Sequence, residues 1–213
     1  MPETGSSKHP LATVHIIDDD AHLRASLLNF FDSIGQRAAA FESAIDFLEH
    51  ADLTLPGCIL LDIRMPGMTG LELQEKLTGL GHPLPIIFMT GNASVATSVS
   101  AMKAGAFDYL LKPFSSESLI KATKLALDRN AELRGKYASL LHAQDSIASL
   151  TPREAEVFGF VSKGLMNKQI AYEMGISEIM VKLHRGRMMK KLDARSVADL
   201  VRIFDEVHPQ GSK

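Results

Sequence analysis

Acidic side chains follow two short apolar runs of this 213-residue sequence, in a pattern that suits phosphoryl transfer. Asp18, Asp19 and Asp20 follow the first run directly, and Asp62 follows the second. Carboxylates that lie close together raise each other's pKa unless a cation neutralises them, so a converging set implies a divalent cation. Mg²⁺ suits oxygen ligands and keeps waters that a phosphoryl group can replace. If the two runs are neighbouring strands, the pattern predicts a Mg²⁺-dependent site.

Two more polar side chains end later apolar runs: Thr90 supplies a hydroxyl and Lys112 a positive charge. Asp62 would act as the nucleophile, while Lys112 neutralises the phosphoryl oxygens and Thr90 hydrogen-bonds one of them. Each residue alone has a simpler explanation, because strand ends are polar and Asp and Thr form turns. Only the combination indicates a site.

The elements that must position these residues follow from the hydrophobic pattern. Short apolar runs alternate with amphipathic stretches at helical spacing, which predicts an α/β fold: a flavodoxin-like, doubly wound, five-stranded parallel sheet. Ligands of such sheets bind at the carboxyl ends of the strands. The predicted strands are Thr13–Ile17, Gln36–Phe41, Cys58–Leu61, Leu84–Met89 and Phe107–Leu111, and the amphipathic stretches are Leu23–Ile34, Ala44–Leu53, Val95–Ala104 and Leu119–Leu127.

The pattern changes along the last third of the chain. Helical spacing continues to about Leu141, with Gly135 as a potential interruption, and after Ser149 only short helices follow, without a strand-like run. A small all-α domain is therefore expected after the sheet. The predicted divisions are a flexible N-terminus at 1–12, the α/β domain at 13–127, a helical linker at 128–148, the all-α domain at 149–207 and a tail at 208–213.

The all-α domain begins with a helix start signal, in which Thr151 is the N-cap, Pro152 the first helical residue and Glu154 the third. Further along, Asn167–Met174, a Gly-containing turn and Glu178–Leu192 have the layout of a helix-turn-helix. The second of these helices would enter the major groove of DNA.

Charge supports that assignment. Residues 1–127 hold 9 basic against 14 acidic residues, whereas residues 150–213 hold 11 against 8. Between Ser177 and Arg195 six residues are basic and two acidic, a concentration that can neutralise phosphates. A solvated surface helix would also carry such charges, but the preceding turn and the acidic first domain favour DNA.

Helical spacing predicts which face of the second helix is buried. Val181, Met188 and Leu192 form the core-facing stripe, with Ile179 or His184 near its border. The side chains expected to point away are those of Lys182, Arg185 and Met189.

Composition excludes several classes of protein. No apolar run is long enough to span a bilayer, and the N-terminus lacks the apolar segment of a secretory signal, so we expect a cytoplasmic protein without membrane contact. The single cysteine, Cys58, lies in a predicted buried strand, where it is expected to pack as a small apolar side chain.

About the first 125 residues resemble the receiver domains of two-component systems. The resemblance rests on Val14–Asp20, Leu61–Gly70, Met89–Gly91, Ala101–Ala106 and Leu111–Phe114. It implies that Asp62 is the phosphoacceptor, that Asp18, Asp19 and the main-chain carbonyl of Arg64 hold Mg²⁺, and that Thr90 and Tyr109 are the switch pair. It also implies a cis Lys112–Pro113 bond. Three consecutive acids leave Asp20 as an alternative metal ligand, and Gly91–Ser94 departs from the usual family sequence.

Residues 149–204 resemble the LuxR-type helix-turn-helix of NarL/FixJ regulators. The resemblance rests on Leu150–Glu154, Gly164–Ala171, Ile176–Glu178 and Val181–Arg185. It implies that Lys182, Leu183, Arg185 and Arg187 face the groove and that Asn167, Lys168 and His184 lie near phosphates. Met180 and the mid-helix Gly186 depart from the family pattern, which affects the sequence preference.

Together the two resemblances imply a transcription regulator. A sensor histidine kinase would phosphorylate Asp62, the chain would dimerise, and the dimer would bind double-stranded promoter DNA. No enzymatic activity beyond its own phosphorylation and dephosphorylation is expected. One alternative is a phosphorylation-independent regulator that uses the first domain for docking. Another is an aspartyl-phosphate phosphatase, although such enzymes need a second Asp where Arg64 stands.

Overall fold

A computed structural model describes residues 12–80, 84–91 and 105–208. The predicted helix Val95–Ala104, nearly all of the flexible N-terminus and of the C-terminal tail, and most of the Gly91–Ser94 and Ala101–Ala106 motifs lie outside the described residues.

The first part of the chain forms the predicted sheet. Five parallel strands lie in the order β2-β1-β3-β4-β5, which is the flavodoxin-like arrangement. Their bounds are β1 Thr13–Ile17, β2 Ala38–Phe41, β3 Gly57–Asp62, β4 Ile86–Thr90 and β5 Asp108–Leu111. The fold class is therefore confirmed, and Asp62 is the last residue of its strand.

Helices flank the sheet on both faces. They are α1 Ala21–Ser33, α2 Ala44–His50, α3 Gly70–Gly79 and α4 Ser116–Ala148. The hydrophobic pattern did not locate α3, although Thr69 and Glu72 form a capping box at its start. The longest helix, α4, continues without a break through Gly135.

Successive side chains of a strand point to opposite faces, so β1 and β3 supply two separate cores. Ile17, Ile59 and Leu61 pack with Phe47 of α2 and Leu73 of α3 on one face. On the other face, buried side chains from the sheet pack with α1 and α4, and these include Val14, Ile16, Leu60, Phe31, Leu119 and Ala126. Both faces of the sheet are thus covered, and its strand ends remain available for a site.

The chain divides into two compact units between Arg134 and Gly135. The second unit contains the end of α4 and four short helices: α5 Pro152–Ser162, α6 Asn167–Met174, α7 Glu178–Lys191 and α8 Val197–Val207. Its core includes Val157, Phe158, Ile170, Val181, Met188 and Leu200. None of the helices in the described ranges has the length and apolarity needed to cross a membrane.

The predicted start and turn signals of the second unit are present. Thr151 and Glu154 form a capping box at the start of α5. Gly175 ends α6 with a positive φ of 65°, which glycine adopts readily, and Ser177 caps α7. The α6–turn–α7 segment therefore has the predicted helix-turn-helix layout.

Candidate phosphoacceptor site and DNA-binding helices

Strand register brings four predicted site residues to one edge of the sheet. Ile17 of β1 pairs with Leu61 of β3, so Asp18 and Asp62 follow neighbouring positions. Thr90 ends β4 opposite Leu111 of β5, and the main-chain N–H of Lys112 donates to the Thr90 carbonyl oxygen at 2.7 Å. The carboxyl ends of these strands therefore place two carboxylates, a hydroxyl-bearing residue and a lysine together.

The side chain of Lys112 links the two carboxylates. Its Nζ donates to Asp18 Oδ2 and to Asp62 Oδ1, each at 2.6 Å. Asp18 is 1% exposed and Asp62 is 7% exposed. Buried carboxylates require a compensating positive charge, and Lys112 supplies it here.

Burial raises the pKa of Asp62 above its usual value, and the neighbouring Asp18 charge acts in the same direction. The hydrogen bond and charge of Lys112 and the main-chain N–H of Arg64 oppose this rise. For Lys112, burial disfavours the charged form, but the hydrogen bonds to both aspartates outweigh it and raise the lysine pKa. The ammonium therefore stays charged at neutral pH.

Main-chain groups fix the two aspartates. Asp62 Oδ2 accepts from the N–H of Arg64 at 2.7 Å, and Asp18 Oδ1 accepts from the N–H of Asp20 at 3.0 Å. The guanidinium of Arg24, on α1, donates to the Asp18 carbonyl oxygen at 2.7 Å. The sequence did not reveal the role of Arg24, because nothing in its spacing distinguishes it from a surface residue of α1.

The other two acidic residues of the first loop have different surroundings. Asp20 is the N-cap of α1 and accepts from the N–H groups of Leu23 and His22, which lower its pKa. Asp19 is exposed. The carboxylate of Asp20 thus has a structural partner, whereas that of Asp19 is accessible beside the buried pair.

The donor set fits Mg²⁺ in kind, since it consists of carboxylates and a main-chain carbonyl. Asp18 and Asp62 both contact Lys112, and the raised pKa of Asp62 indicates that further positive charge would stabilise its ionised form. In the part of the chain that the structure describes, no three carboxylates, histidines or cysteines are grouped closely enough to hold a metal ion. Asp18, Asp19 and the main-chain carbonyl of Arg64 therefore remain predicted Mg²⁺ ligands.

The predicted switch pair lies on adjacent strands. Thr90 is 4% exposed, while Tyr109, opposite Phe88 in the β4–β5 ladder, is 36% exposed. The Lys112–Pro113 bond that follows β5 is cis.

Gly70 is a residue of the site that sequence reasoning did not single out. It begins α3 beside the end of β3, and a Cβ atom there would lie 2.3 Å from the carbonyl oxygen of Asp62. Only glycine allows this close approach of helix and strand. The resemblance motif contained Gly70, but sequence alone gave no reason for it.

In the second unit, the second helix of the helix-turn-helix, α7, differs in detail from the prediction. Arg185 was expected to point away from the core, but it is half-buried and its Nη1 donates to Asn167 Oδ1 of α6 at 2.8 Å. Met189 was also expected to point away, but it packs against the core. Of the two residues given as alternatives for the border of the buried stripe, Ile179 is 77% exposed, whereas His184 is half-buried.

The remaining predicted DNA contacts lie on or near α7 as expected from the sequence. Those exposed are Lys168, Lys182, Leu183 and Arg187, while Asn167 and His184 are half-buried. The DNA contacts of these residues remain predictions.

Lys191 does not belong to this cationic surface. Its Nζ donates to Glu154 at 2.7 Å and to the carbonyl oxygen of Ser149 at 2.9 Å. The hydrogen bond from Lys191, with those from Thr151, lowers the pKa of Glu154 to about 2. Two of the six basic residues counted in the sequence, Arg185 and Lys191, therefore have internal partners.

A sheet of this order with a lysine-bridged aspartate pair at its carboxyl edge defines a receiver domain, and the second unit has a helix-turn-helix. Comparisons with known proteins agree. Residues 14–124 match the family model of the response regulator receiver domain. Residues 148–204 match the model of the bacterial regulatory proteins of the luxR family.

Curated relatives match nearly the whole chain. Nodulation protein W of Bradyrhizobium diazoefficiens is 42% identical over 91% of this chain and 86% of its own length. The transcriptional regulatory protein FixJ of Azorhizobium caulinodans is 40% identical over 89% of this chain and 90% of its own. The chain therefore belongs to the NarL/FixJ family of two-component response regulators.

Solved structures give the same result. The response regulator StyR is 43% identical, with a TM-score of 0.83, over 92% of this chain and 99% of that one. Full-length FixJ from B. japonicum is 33% identical, with a TM-score of 0.56, over 97% of this chain and 100% of that one.

Proposed function

We propose that phosphorylation of Asp62 by a sensor histidine kinase controls dimerisation and promoter binding by this regulator. The bridge from Lys112 to both Asp62 and Asp18 carries the proposal, because it holds a buried carboxylate and a charged ammonium at one edge of the sheet. The chain acts on its own phosphorylation state alone and on no other substrate, and its site of action is the cytoplasm.

Asp62 acts as the nucleophile. Its carboxylate oxygen forms a bond to phosphorus while the phosphorus–nitrogen bond to the kinase histidine breaks, and the electron pair of that bond returns to the imidazole. The N–H of Arg64 holds Asp62 Oδ2, which leaves Oδ1, the oxygen now bonded to Lys112, on the side of the ammonium. Attack by Oδ1 therefore brings the new phosphoryl group to Lys112.

Asp18, Asp19 and the Arg64 carbonyl would hold Mg²⁺, which would supply positive charge to the phosphoryl oxygens. Lys112 exchanges its hydrogen bond with Asp62 for one with a phosphoryl oxygen and keeps its bond to Asp18. Thr90 turns its hydroxyl to another of these oxygens. These new contacts are the differential interactions that favour the activated state.

The surface that responds to phosphorylation lies at β5 and α4. A phosphoryl group adds roughly 1.5 to 2 negative charges, and movement of Thr90 toward it leaves space that the half-exposed Tyr109 ring takes up. The altered surface pairs two chains. Two helix-turn-helix units then bind adjacent half-sites with an avidity that one unit lacks.

Oligomeric mass and DNA binding of the full chain, measured with and without a small acyl-phosphate donor and Mg²⁺, test this proposal. We expect dimer formation and tighter binding only when both are present. Asp62→Asn should abolish the response, whereas Asp32→Asn, an exposed acid on α1, should preserve it.

Two results would overturn the proposal. Donor-dependent dimerisation of Asp62→Asn would exclude Asp62 as the phosphoacceptor. Equal dimerisation and DNA binding of the wild-type chain with and without donor would favour the phosphorylation-independent regulator, and steady turnover of phosphate esters would favour the phosphatase.

A further inference from the structure

The outward face of the recognition helix α7 carries apolar side chains where a DNA-reading helix usually carries polar ones. Ile179 is 77% exposed and Leu183, one turn later, is 43% exposed. Residues four apart are neighbours on one helix face. Gly186 follows on the same side, with nothing within 4 Å of its Cβ position.

The buried residues of α7 fix the direction of this face. Val181 and Met188 are fully buried, at 0% exposure. With 3.6 residues per turn, a residue two positions from Val181 lies about 200° around the helix, opposite the core. Ile179 and Leu183 both stand two positions from Val181, so they flank the line that points directly away from the domain.

The charges around these residues indicate what the face contacts. Lys182 and Arg187, both exposed, stand on either side of the apolar pair. Arg185 is held on the α6 side of the helix by its hydrogen bond to Asn167. Cations at the borders of an apolar strip match a major groove, whose two phosphate backbones flank the base edges.

Within the major groove, the apolar group that a base pair presents is the C5-methyl of thymine. Ile179 and Leu183 have no hydrogen-bond donor or acceptor in their side chains, and Gly186 has no side chain at all. This strip therefore cannot make the bidentate hydrogen bonds by which Arg or Asn reads guanine or adenine. Methyl groups are the base features that it can recognise.

We propose that Ile179, together with Leu183, is a specificity-determining residue that packs against thymine C5-methyl groups in each half-site. The inference rests on the DNA binding proposed above and assigns a base class to it. Ile179 lies in the first turn of α7, from which recognition helices contact base edges. A single exposed isoleucine would be unremarkable, but here it forms a pair with Leu183 between two cations.

Replacement of thymine by deoxyuridine, which lacks only the C5-methyl, tests the proposal. A preferred sequence is first selected from random DNA with the phosphorylated full chain. Each thymine of that sequence is then replaced in turn. We expect one or two positions per half-site where uracil weakens wild-type binding about fourfold per methyl group.

At one or more of those positions, the variant Ile179→Ala should bind the thymine and uracil probes with equal affinity, while any position that Leu183 contacts keeps its preference. Ile45→Ala serves as the matched control, because Ile45 is 51% exposed on α2 of the receiver unit. That variant should retain the full thymine preference. Ile179 is exposed, so its replacement leaves the packed core of the unit intact.

The outcomes separate this inference from the proposed function. If selection from random DNA enriches no sequence at all, the proposal that the chain recognises a DNA sequence is wrong. If a sequence is enriched but uracil is tolerated at every position, or Ile179→Ala discriminates as wild type does, the proposed role of Ile179 is wrong and DNA binding stands.

Discussion

Gly70 lies against the main chain of Asp62, the proposed phosphoacceptor. A Cβ atom at position 70 would lie 2.3 Å from the Asp62 carbonyl oxygen and 3.2 Å from Ile63 Cα, and the N–H of Gly70 donates to the Ile63 carbonyl at 3.1 Å. The start of α3 and the end of β3 are thus in direct main-chain contact. Any side chain at this position must move the backbone that carries Asp62.

We therefore predict that Gly70→Ala destabilises the receiver unit by about 1–3 kcal/mol, the usual cost of overpacking, and slows phosphorylation of Asp62. Urea unfolding and the rate of phosphorylation by a small phosphodonor measure the two effects. Gly79→Ala is the matched control, because Gly79 ends the same helix and has nothing within 4 Å of its Cβ position. Equal stability of the two variants would contradict the close-contact explanation.

His15 gives the receiver unit a pH dependence. It is 4% exposed, its ring lies 5.5 Å from that of Phe47, and both ring nitrogens lack a hydrogen-bond partner among the described residues. Burial lowers its pKa from 6.5 to about 4, against the opposing charge of Asp52. Between these values the unfolded chain binds a proton that the folded chain does not, so stability falls as the pH decreases.

The expected loss between pH 6.5 and pH 4 is about 3 kcal/mol, from 1.4 kcal/mol per pKa unit. Urea unfolding of the full chain across this range measures it. His15→Leu should flatten that part of the profile, whereas His22→Gln, at an exposed position, should leave it unchanged. An unaltered slope in His15→Leu would show that another group causes the acid sensitivity.

Glu154 gives the second unit an acid sensitivity of its own. Its pKa is lowered to about 2, first by the hydrogen bond from Lys191 and then by the N–H of Thr151. A carboxylate with a lowered pKa contributes stability that is complete above about 4.5 and is lost as the pH falls toward 2. Protonation of Glu154 would leave its carboxyl group less able to accept hydrogen bonds from Lys191 and Thr151.

We predict that Glu154→Gln lowers the unfolding temperature of the second unit at pH 7 and weakens its dependence on acid. Thermal unfolding followed by circular dichroism from pH 7 to pH 3 measures both. Glu156→Gln is the control on the same helix, since the Arg153–Glu156 pair is about half exposed and is expected to contribute 0.2–1 kcal/mol at most. A larger loss of stability in Glu156→Gln than in Glu154→Gln would contradict the stabilising role given to the Lys191–Glu154 hydrogen bond.

The Arg185–Asn167 hydrogen bond joins the two helices of the DNA-binding motif. Because it holds the guanidinium beside α6, we expect Arg185 to contact the phosphate backbone rather than a base. Arg185→Ala should weaken binding to all sequences alike and reduce the slope of log affinity against log salt by about 1. Affinities for preferred and unrelated DNA at several salt concentrations test this expectation.

A double-mutant cycle tests whether the Arg185–Asn167 hydrogen bond itself affects DNA binding. Asn167→Ala and Arg185→Ala should be non-additive in DNA affinity by about 0.5–1.5 kcal/mol, the usual net value of one hydrogen bond. Lys168→Ala and Arg185→Ala should add, because no hydrogen bond joins these residues among those described. A sequence-dependent effect of Arg185→Ala would show that this residue reads bases.

Sequence patterns predicted the strands and the helix caps well because both depend on residues that are close together in the chain. The buried strands are continuous apolar runs, and Thr151 with Glu154 forms a capping box that sequence alone reveals. The convergence of Asp18, Asp62 and Lys112 required the strand order as well, which local patterns do not contain. It followed only from the parallel-sheet topology.

The errors concern orientation. Ile179 was one of two residues expected at the border of the buried stripe, although its distance of two residues from the buried Val181 puts it on the opposite side. Helical spacing was taken to point Arg185 away from the core, but it stands four residues from the buried Val181 and donates a hydrogen bond to Asn167 of α6. Both errors concern the position of a side chain around the helix relative to the buried Val181. The pattern also missed α3, although its buried Leu73 and Leu77 stand four residues apart.

The two hydrogen bonds of Lys191 affect how the second unit unfolds. One nitrogen joins the carbonyl that follows α4, the first turn of α5 and the last turn of α7. Fraying of any one of these helix ends breaks a hydrogen bond to Lys191 and so removes a contact from another helix end. The helices should therefore lose their hydrogen-exchange protection together, as a single cooperative unit, rather than unravelling one by one from the chain terminus.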